Sequence, residues 1–193
     1  MIGEFDAIVL AGGRGSRLGA PSKPEYVVGG RRLVDVALSA ASSARRIVLV
    51  GPGPAPQGVL LTREDPPFGG PVAAVAAGFA VLPDHAAWTV LLACDLPGAE
   101  AGVAQLLSAD PESTSDGVCL LDADGRLQWL LGCYRTEALA GRLAHRGDPP
   151  LTAMYRLLEP LQLLGMSADS RITSDIDTPA DAAGWAHRQE GHS

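Results

Sequence analysis

The residues best suited to chemistry lie in one stretch, Leu10–Pro24, which reads LAGGRGSRLGAPSKP. Lys23 is the only lysine of the chain, against fourteen arginines. Gly12, Gly13 and Gly15 precede it, together with Arg14 and Arg17, and no acidic residue occurs between Asp6 and Glu25. Glycines allow the backbone to approach an anion closely, so that successive N–H groups point at phosphate oxygens. Arginine and lysine then supply the charge. An ammonium is a compact point charge that a planar guanidinium does not replace in a tight site. The chemistry expected of this loop is the binding of a phosphorylated ligand.

Two familiar glycine loops fail here. A Walker A loop places Lys-Ser/Thr directly after its last glycine, whereas Lys23 is followed by Pro24. A dinucleotide fold needs GxGxxG and an acid ending the second strand. Gly13-Arg14-Gly15-Ser16-Arg17-Leu18-Gly19 is one residue too long, and the second strand ends Val50-Gly51.

Two acidic positions stand out beyond the loop. Asp95 follows the apolar run Trp88–Ala93 and precedes Leu96-Pro97. A carboxylate at such a strand tip is placed to hold the divalent cation that phosphoryl and nucleotidyl transfer require, and it is equally a plain turn residue. The second position is Asp175-Ile176-Asp177-Thr178-Pro179-Ala180-Asp181. Thr178, Pro179 and Asp181 read as a helix start with a capping box. That reading leaves Asp175 and Asp177 unaccounted for.

The elements that must position these residues alternate between β and α. Strands are expected at Ala7–Leu10, Arg46–Val50, Val59–Leu61, Trp88–Ala93, Gly117–Leu121, Leu127–Tyr134 and Leu161–Leu164. Helices are expected at Leu33–Ser43, Pro71–Leu82, Ala101–Ser108, Thr136–His145, Leu151–Leu158 and Pro179–Arg188. Asp122-Ala123-Asp124-Gly125 signals a hairpin and hence one antiparallel strand. The fold class is therefore α/β: a three-layer, Rossmann-like arrangement with a mainly parallel sheet and helices on both faces. Ligands of such sheets bind beyond the carboxyl ends of the strands, which selects the loop after Leu10, Asp95 and the turn before Pro179.

At 193 residues, with 47% hydrophobic content and a mean hydropathy of +0.14, the chain is expected to form a single domain over residues 1–193. Its net charge of −7 disfavours nucleic acid and membrane surfaces as partners. Three widely spaced cysteines, Cys94, Cys119 and Cys133, show no metal-binding spacing and read as buried free thiols. The N-terminus lacks signal-peptide character, and no apolar run is long enough to span a membrane, so a cytoplasmic location is expected.

With these residues in place, the loop resembles the signature LAGGxGxRxGxxxKP of the nucleotidyltransferase superfamily. Leu10, Ala11, Gly12, Gly13, Gly15, Arg17, Gly19, Lys23 and Pro24 match it. The resemblance implies that the loop wraps a nucleoside triphosphate, with Arg17 and Lys23 on the phosphates and the Leu10–Gly13 backbone near the base. It makes Asp95, in the DLP triplet, the Mg²⁺ ligand and Asp177 a possible second contact to metal or substrate. The segment Glu64–Ala74, EDPPFGGPVAA, is similar to the GPLAG segment of the molybdenum cofactor guanylyltransferase (MobA-like) family. There an upstream acid reads guanine, which here implies Asp65, with Glu64 as the alternative. Gln128–Tyr134 resembles a strand beside that family's pterin-binding region, with Trp129 where proline is usual. The implied substrates are GTP and molybdopterin, with transient partners in cofactor biosynthesis or delivery and a monomeric or small homo-oligomeric state. The implied reaction transfers GMP and releases pyrophosphate. A sister nucleotidyltransferase, such as a cytidylyltransferase, and a non-catalytic nucleotide-binding module are the alternatives.

Overall fold

A computed structural model of the chain describes residues 1–12, 23–112, 114–145 and 153–190. The strands are β1 (Phe5–Leu10), β2 (Val27–Val28), β3 (Arg31–Arg32), β4 (Ile47–Val50), β5 (Val59–Thr62), β6 (Trp88–Ala93), β7 (Gly117–Leu121), β8 (Leu127–Arg135) and β9 (Leu163–Ser167). The helices are α1 (Leu33–Ala40), α2 (Pro71–Ala80), α3 (Ala99–Ser108), α4 (Thr136–Ala144), α5 (Met154–Leu158), α6 (Ser170–Thr173) and α7 (Pro179–Glu190). Seven strands form one sheet in the order β5-β4-β1-β6-β8-β7-β9, and β2 pairs with β3 as a separate hairpin. All pairings in the large sheet are parallel except those of β8, which runs antiparallel to both β6 and β7.

The expected strands are present, with ends shifted by at most three residues, the largest shift being that of β9. Two elements were not legible in the sequence. The β2–β3 hairpin is four residues around Gly29-Gly30, too short for any periodicity, and both glycines have positive φ. Helix α6 is a single turn whose start is capped by the Asp169 carboxylate accepting from the Arg171 N–H at 2.8 Å. The hairpin between β7 and β8 is as expected: Gly125 has φ 75°, and the Asp122 carboxylate accepts from the N–H groups of Asp124 and Arg126.

Alternate residues of the central strands feed opposite faces, as the strand period of two demands. Ala7 and Val9 pack with Val36 and Ala37 of α1 and with Val103 and Leu106 of α3. Ile8 and Leu10 pack with Val72 and Val75 of α2, Leu139 of α4 and Leu157 of α5. A third, smaller cluster joins Val28, Leu33 and Ile176, with Tyr26 and Trp185 packed against it. The sheet between the first two clusters, with helices packed on both faces, gives the three layers expected.

The sheet order creates a switch point. From β1 the chain moves outward to β4 and β5, then returns to place β6 on β1's other side. Leu10 is level with both Val50 and Ala93, so β1, β4 and β6 end together. Val50 is also level with Thr62. The loops after all four strands therefore leave from one edge, the position where open α/β sheets bind ligands.

At its other end, β1 carries the fully buried Asp6. Its carboxylate accepts from Arg45 Nε at 3.1 Å, Arg45 Nη2 at 2.9 Å and the Ala86 N–H at 2.7 Å. A buried charge is tolerable when it is bonded in this way.

The three thiols are buried, as expected. Burial pushes those of Cys119 and Cys133 up to about 12, and burial followed by the neighbouring Asp95 charge raises that of Cys94 as well. The thiolate is the reactive form. A disulfide-exchange reagent at pH 8 should therefore titrate no thiol in the native protein and three after denaturation. Rapid reaction of the native chain would contradict the burial.

Candidate functional site

The candidate site is built at the shared carboxyl edge of β1, β4 and β6. The chain leaves β1 through Ala11, whose N–H donates to the Val50 carbonyl at 2.8 Å. The Leu10 carbonyl accepts from the Cys94 N–H at 3.0 Å, which carries the β1–β6 ladder one step further and sets Asp95 just past the end of β1. Leu10 and Ala11 are buried, so their side chains serve the core, and only their backbone belongs to this edge. Gly12 is exposed at the start of the loop. Gly13, Gly15 and Arg17 lie outside the described residues.

Lys23 is where the chain re-enters the described structure. Its ammonium is 2.8 Å from Asp95 Oδ2 and donates a short hydrogen bond to Asp177 Oδ1. Burial opposes its charge, yet the Asp95 and Asp177 carboxylates outweigh that and hold its pKa above the ordinary value. The three residues Lys23, Asp95 and Asp177, far apart in sequence, thus meet. The arrangement differs from a lysine aimed at phosphate alone, because in this structure its ammonium faces the acids.

A fourth residue joins them. One carboxylate oxygen from each of Asp95, Asp175 and Asp177 can be chosen so that all lie within 4.8 Å of one another. The signal for Asp175 was present in the sequence as D-I-D. In an extended segment, residues two apart point the same way and the one between them points oppositely. Ile176 is fully buried, so both aspartates face out. The Ile176 N–H donates to the Asp95 carbonyl at 3.0 Å, holding this segment beside the tip of β6. Desolvation of Asp175 by its crowded neighbours, then the like charges of Asp95 and Asp177, raise its carboxyl above the usual range.

This set of groups fits a hard divalent cation. All three ligands are carboxylate oxygens, the type that magnesium and manganese take. Three ionised acids against one ammonium leave a formal charge of −2. The segment after them is held as the sequence suggested. Asp181 accepts from the N–H groups of Asp177 and Thr178 and from the Thr178 hydroxyl, and its own N–H donates back to Thr178 Oγ1 at 3.2 Å. That reciprocal cap starts α7 and explains Asp181 without any catalytic role.

Close packing sets the approach of the acidic segment. A Cβ on Gly98 would stand 2.3 Å from the Arg171 carbonyl, and one on Gly102 would stand 3.0 Å from Ile172. The small residues of α3 and its entry therefore let α6 lie against it, just ahead of Asp175.

The β5–α2 loop leaves from the same edge. Glu64 accepts from the Phe68 N–H at 3.1 Å and so braces its own loop. Asp65 is exposed. Gly70 has φ 90°, and Pro71 opens α2, as the sequence indicated. Tyr134, in the strand that resembles the pterin side of the family, is fully buried, and its hydroxyl donates to the Trp129 carbonyl at 2.8 Å. Gln128 donates to Asp122 at 2.8 Å. These two side chains hold the hairpin together.

Ile176 should be the mechanical anchor of the acidic group. Ile176→Ala removes a fully buried side chain and should cost about 2–5 kcal/mol of stability. It should also weaken Mn²⁺ binding, measured by the loss of the free-ion resonance signal. Unchanged stability would show that the anchor lies elsewhere.

Comparison with known proteins agrees with this geometry. Residues 7–164 match the family described as the MobA-like NTP transferase domain. The chain is 33% identical over 153 residues to a probable molybdenum cofactor guanylyltransferase of Trichormus variabilis, covering 77% of this chain and 70% of that protein. Among solved structures, Rv0371c from Mycobacterium tuberculosis H37Rv has the same fold at a TM-score of 0.74 and 21% identity, covering 95% of this chain and 98% of that one. Molybdopterin-guanine dinucleotide biosynthesis protein A from Archaeoglobus fulgidus aligns at a TM-score of 0.70 and 18% identity, covering 96% and 99%. The solved structures share the fold, and the match over residues 7–164 with the likeness to the Trichormus protein establishes that the chain belongs to the MobA-like NTP transferase domain family and is a nucleotidyltransferase.

Proposed function

We propose that the chain transfers GMP from GTP to molybdopterin and releases pyrophosphate, in a Mg²⁺-dependent reaction. The observation that carries this reading is the meeting of Lys23 with Asp95, Asp175 and Asp177 at the sheet edge where the glycine loop departs. The similarity to the Trichormus protein supports the choice of substrates. One nucleotidyltransferase domain over residues 1–193, acting in the cytoplasm, suits the reading. Among the described residues no helix is long and apolar enough to cross a membrane.

In this reading a terminal phosphate oxygen of the pterin attacks the α-phosphorus of GTP in line. The bond from that phosphorus to the bridging oxygen breaks, and pyrophosphate leaves. Atoms balance without an enzyme nucleophile, so the protein's work is positioning and charge. Asp95 and Asp177 would hold Mg²⁺, with Asp175 completing the group. When bound, the ion offsets negative charge on the triphosphate. Lys23 and Arg17 neutralise phosphate oxygens. The backbone at Leu10, Ala11, Gly12, Gly13 and Gly15 lies along the nucleotide. Asp65 reads guanine by accepting from its N1–H and exocyclic amine. Glu64 is the weaker candidate because it already accepts from the Phe68 N–H of its own loop.

Pyrophosphate release should occur with GTP, molybdopterin and Mg²⁺ together and not when any one is omitted. Asp95→Ala should lower turnover by roughly a hundred- to a thousandfold, the scale of losing a transition-state charge stabiliser, while the fold is retained. Full activity in that variant would remove Asp95 from the site. In thermal shift with Mg²⁺ and each nucleotide, GTP should give the largest stabilisation, and Asp65→Asn should reduce that lead. A preference for CTP would replace this reading with a cytidylyltransferase, and nucleotide binding without pyrophosphate release would indicate a non-catalytic module.

A further inference from the structure

We propose that Lys23 is a place-holding cation: its ammonium occupies the carboxylate group until a divalent ion displaces it, and the released side chain then turns to the nucleotide's phosphates. The inference rests on reading Asp95, Asp175 and Asp177 as the metal site.

The ammonium is 2.8 Å from Asp95 Oδ2 and bonded to Asp177 Oδ1. A magnesium ion would approach these same oxygens to about 2.0–2.1 Å. Both cations would then need the same wedge between the two carboxylates. Like charges at such separation repel strongly in a partly buried site, so one must leave. The Lys23 side chain is only 15% exposed, which makes the wedge such a site.

The lysine is also built to move while its backbone stays. The Lys23 carbonyl accepts from the Tyr26 N–H at 3.1 Å, and the Pro24 carbonyl accepts from the Val34 N–H at 2.9 Å. These bonds fix the segment against the start of α1. The four-carbon stem beyond them can swing by rotamer changes alone. An ammonium holds its partners with three freely rotating donors and can exchange them, whereas a guanidinium grips a carboxylate through a planar fork. The chain shows the contrast directly. Asp6, which needs a permanent partner, has the fork of Arg45, with Nε at 3.1 Å and Nη2 at 2.9 Å. The acidic group at the other end of β1 has the only lysine. The consequence is an ordered loading in which metal entry makes a cation available to the triphosphate, so that the two ligands favour each other.

The single lysine makes the test direct. Wild-type protein grown with isotope-labelled lysine gives one side-chain ammonium and one set of stem resonances. Titration with Mg²⁺ should shift these resonances and increase their fast motion, saturating at the metal concentration at which Mn²⁺ binding saturates by paramagnetic resonance under competition. Lys23→Met should bind Mn²⁺ roughly tenfold or more tightly than wild type in the absence of nucleotide, since each factor of ten reflects a modest change in competition. Lys23→Arg, which keeps a cation in the wedge, should show no such tightening. Metal binding that leaves the lysine resonances unmoved would overturn the inference, as would Mn²⁺ affinity in Lys23→Met equal to or weaker than wild type. If Lys23→Met does not fold, the wild-type titration still decides. Failure of wild type to bind Mn²⁺ at all would overturn the metal reading itself, a distinct result.

Discussion

One backbone hydrogen bond organises the candidate site: the Ile176 N–H on the Asp95 carbonyl, at 3.0 Å. It joins two stretches eighty-one residues apart (176 − 95) and sets a β-strand tip beside an extended segment with acids on either side of a buried isoleucine. Without it the two acidic stretches would be separate turns. With it they form a concentration of negative charge that only a cation can make tolerable. In this structure the cation is Lys23. The three acids depend on that balance.

The rest of the architecture serves to bring those pieces to one edge. β1 ends level with β4 and β6, so the chain turns outward three times at the same height. Both faces of the sheet are covered because β1 contributes Ala7 and Val9 to one side and Ile8 and Leu10 to the other. Polar groups that need partners find them at the sheet ends. Asp6 is permanently neutralised by Arg45 at the amino end of β1. At the carboxyl end the acids carry a formal excess that the protein's own lysine offsets only in part. A binding site and a structural ion pair thus use the same chemistry and differ in whether the cation is replaceable.

The resemblance to known nucleotidyltransferases and the geometry address different questions. Family membership rests on the match over residues 7–164 and on the likeness to the Trichormus protein. The solved structures below 25% identity speak to the fold. The geometry adds what neither contains: Glu64 is bound to its own loop, Tyr134 is buried within its hairpin, and Asp175 joins the acids. The first two narrow the set of side chains able to touch substrate, and the third adds one to the acidic group.

Much of this was legible in the linear chain. Alternation of apolar runs with helical spacing was enough for the α/β class, because burial on both faces leaves strands without polar positions. The glycine loop and the Thr178–Asp181 cap were readable because their meaning is local: a φ preference, a hydroxyl three residues from a carboxylate. The β2–β3 hairpin and α6 escaped because two-residue strands and a one-turn helix carry no period. Asp175 was visible as half of an alternating pair, but nothing in the linear pattern said that its partner would be Asp95. The sequence alone determined which residue types were available and which short segments were extended, helical or turned. Only the tertiary structure decided that one lysine and three aspartates share a single volume. Coulombic interaction depends on distance in space, and distance in space was set by parallel strand register, the close packing at Gly98 and one hydrogen bond from Ile176.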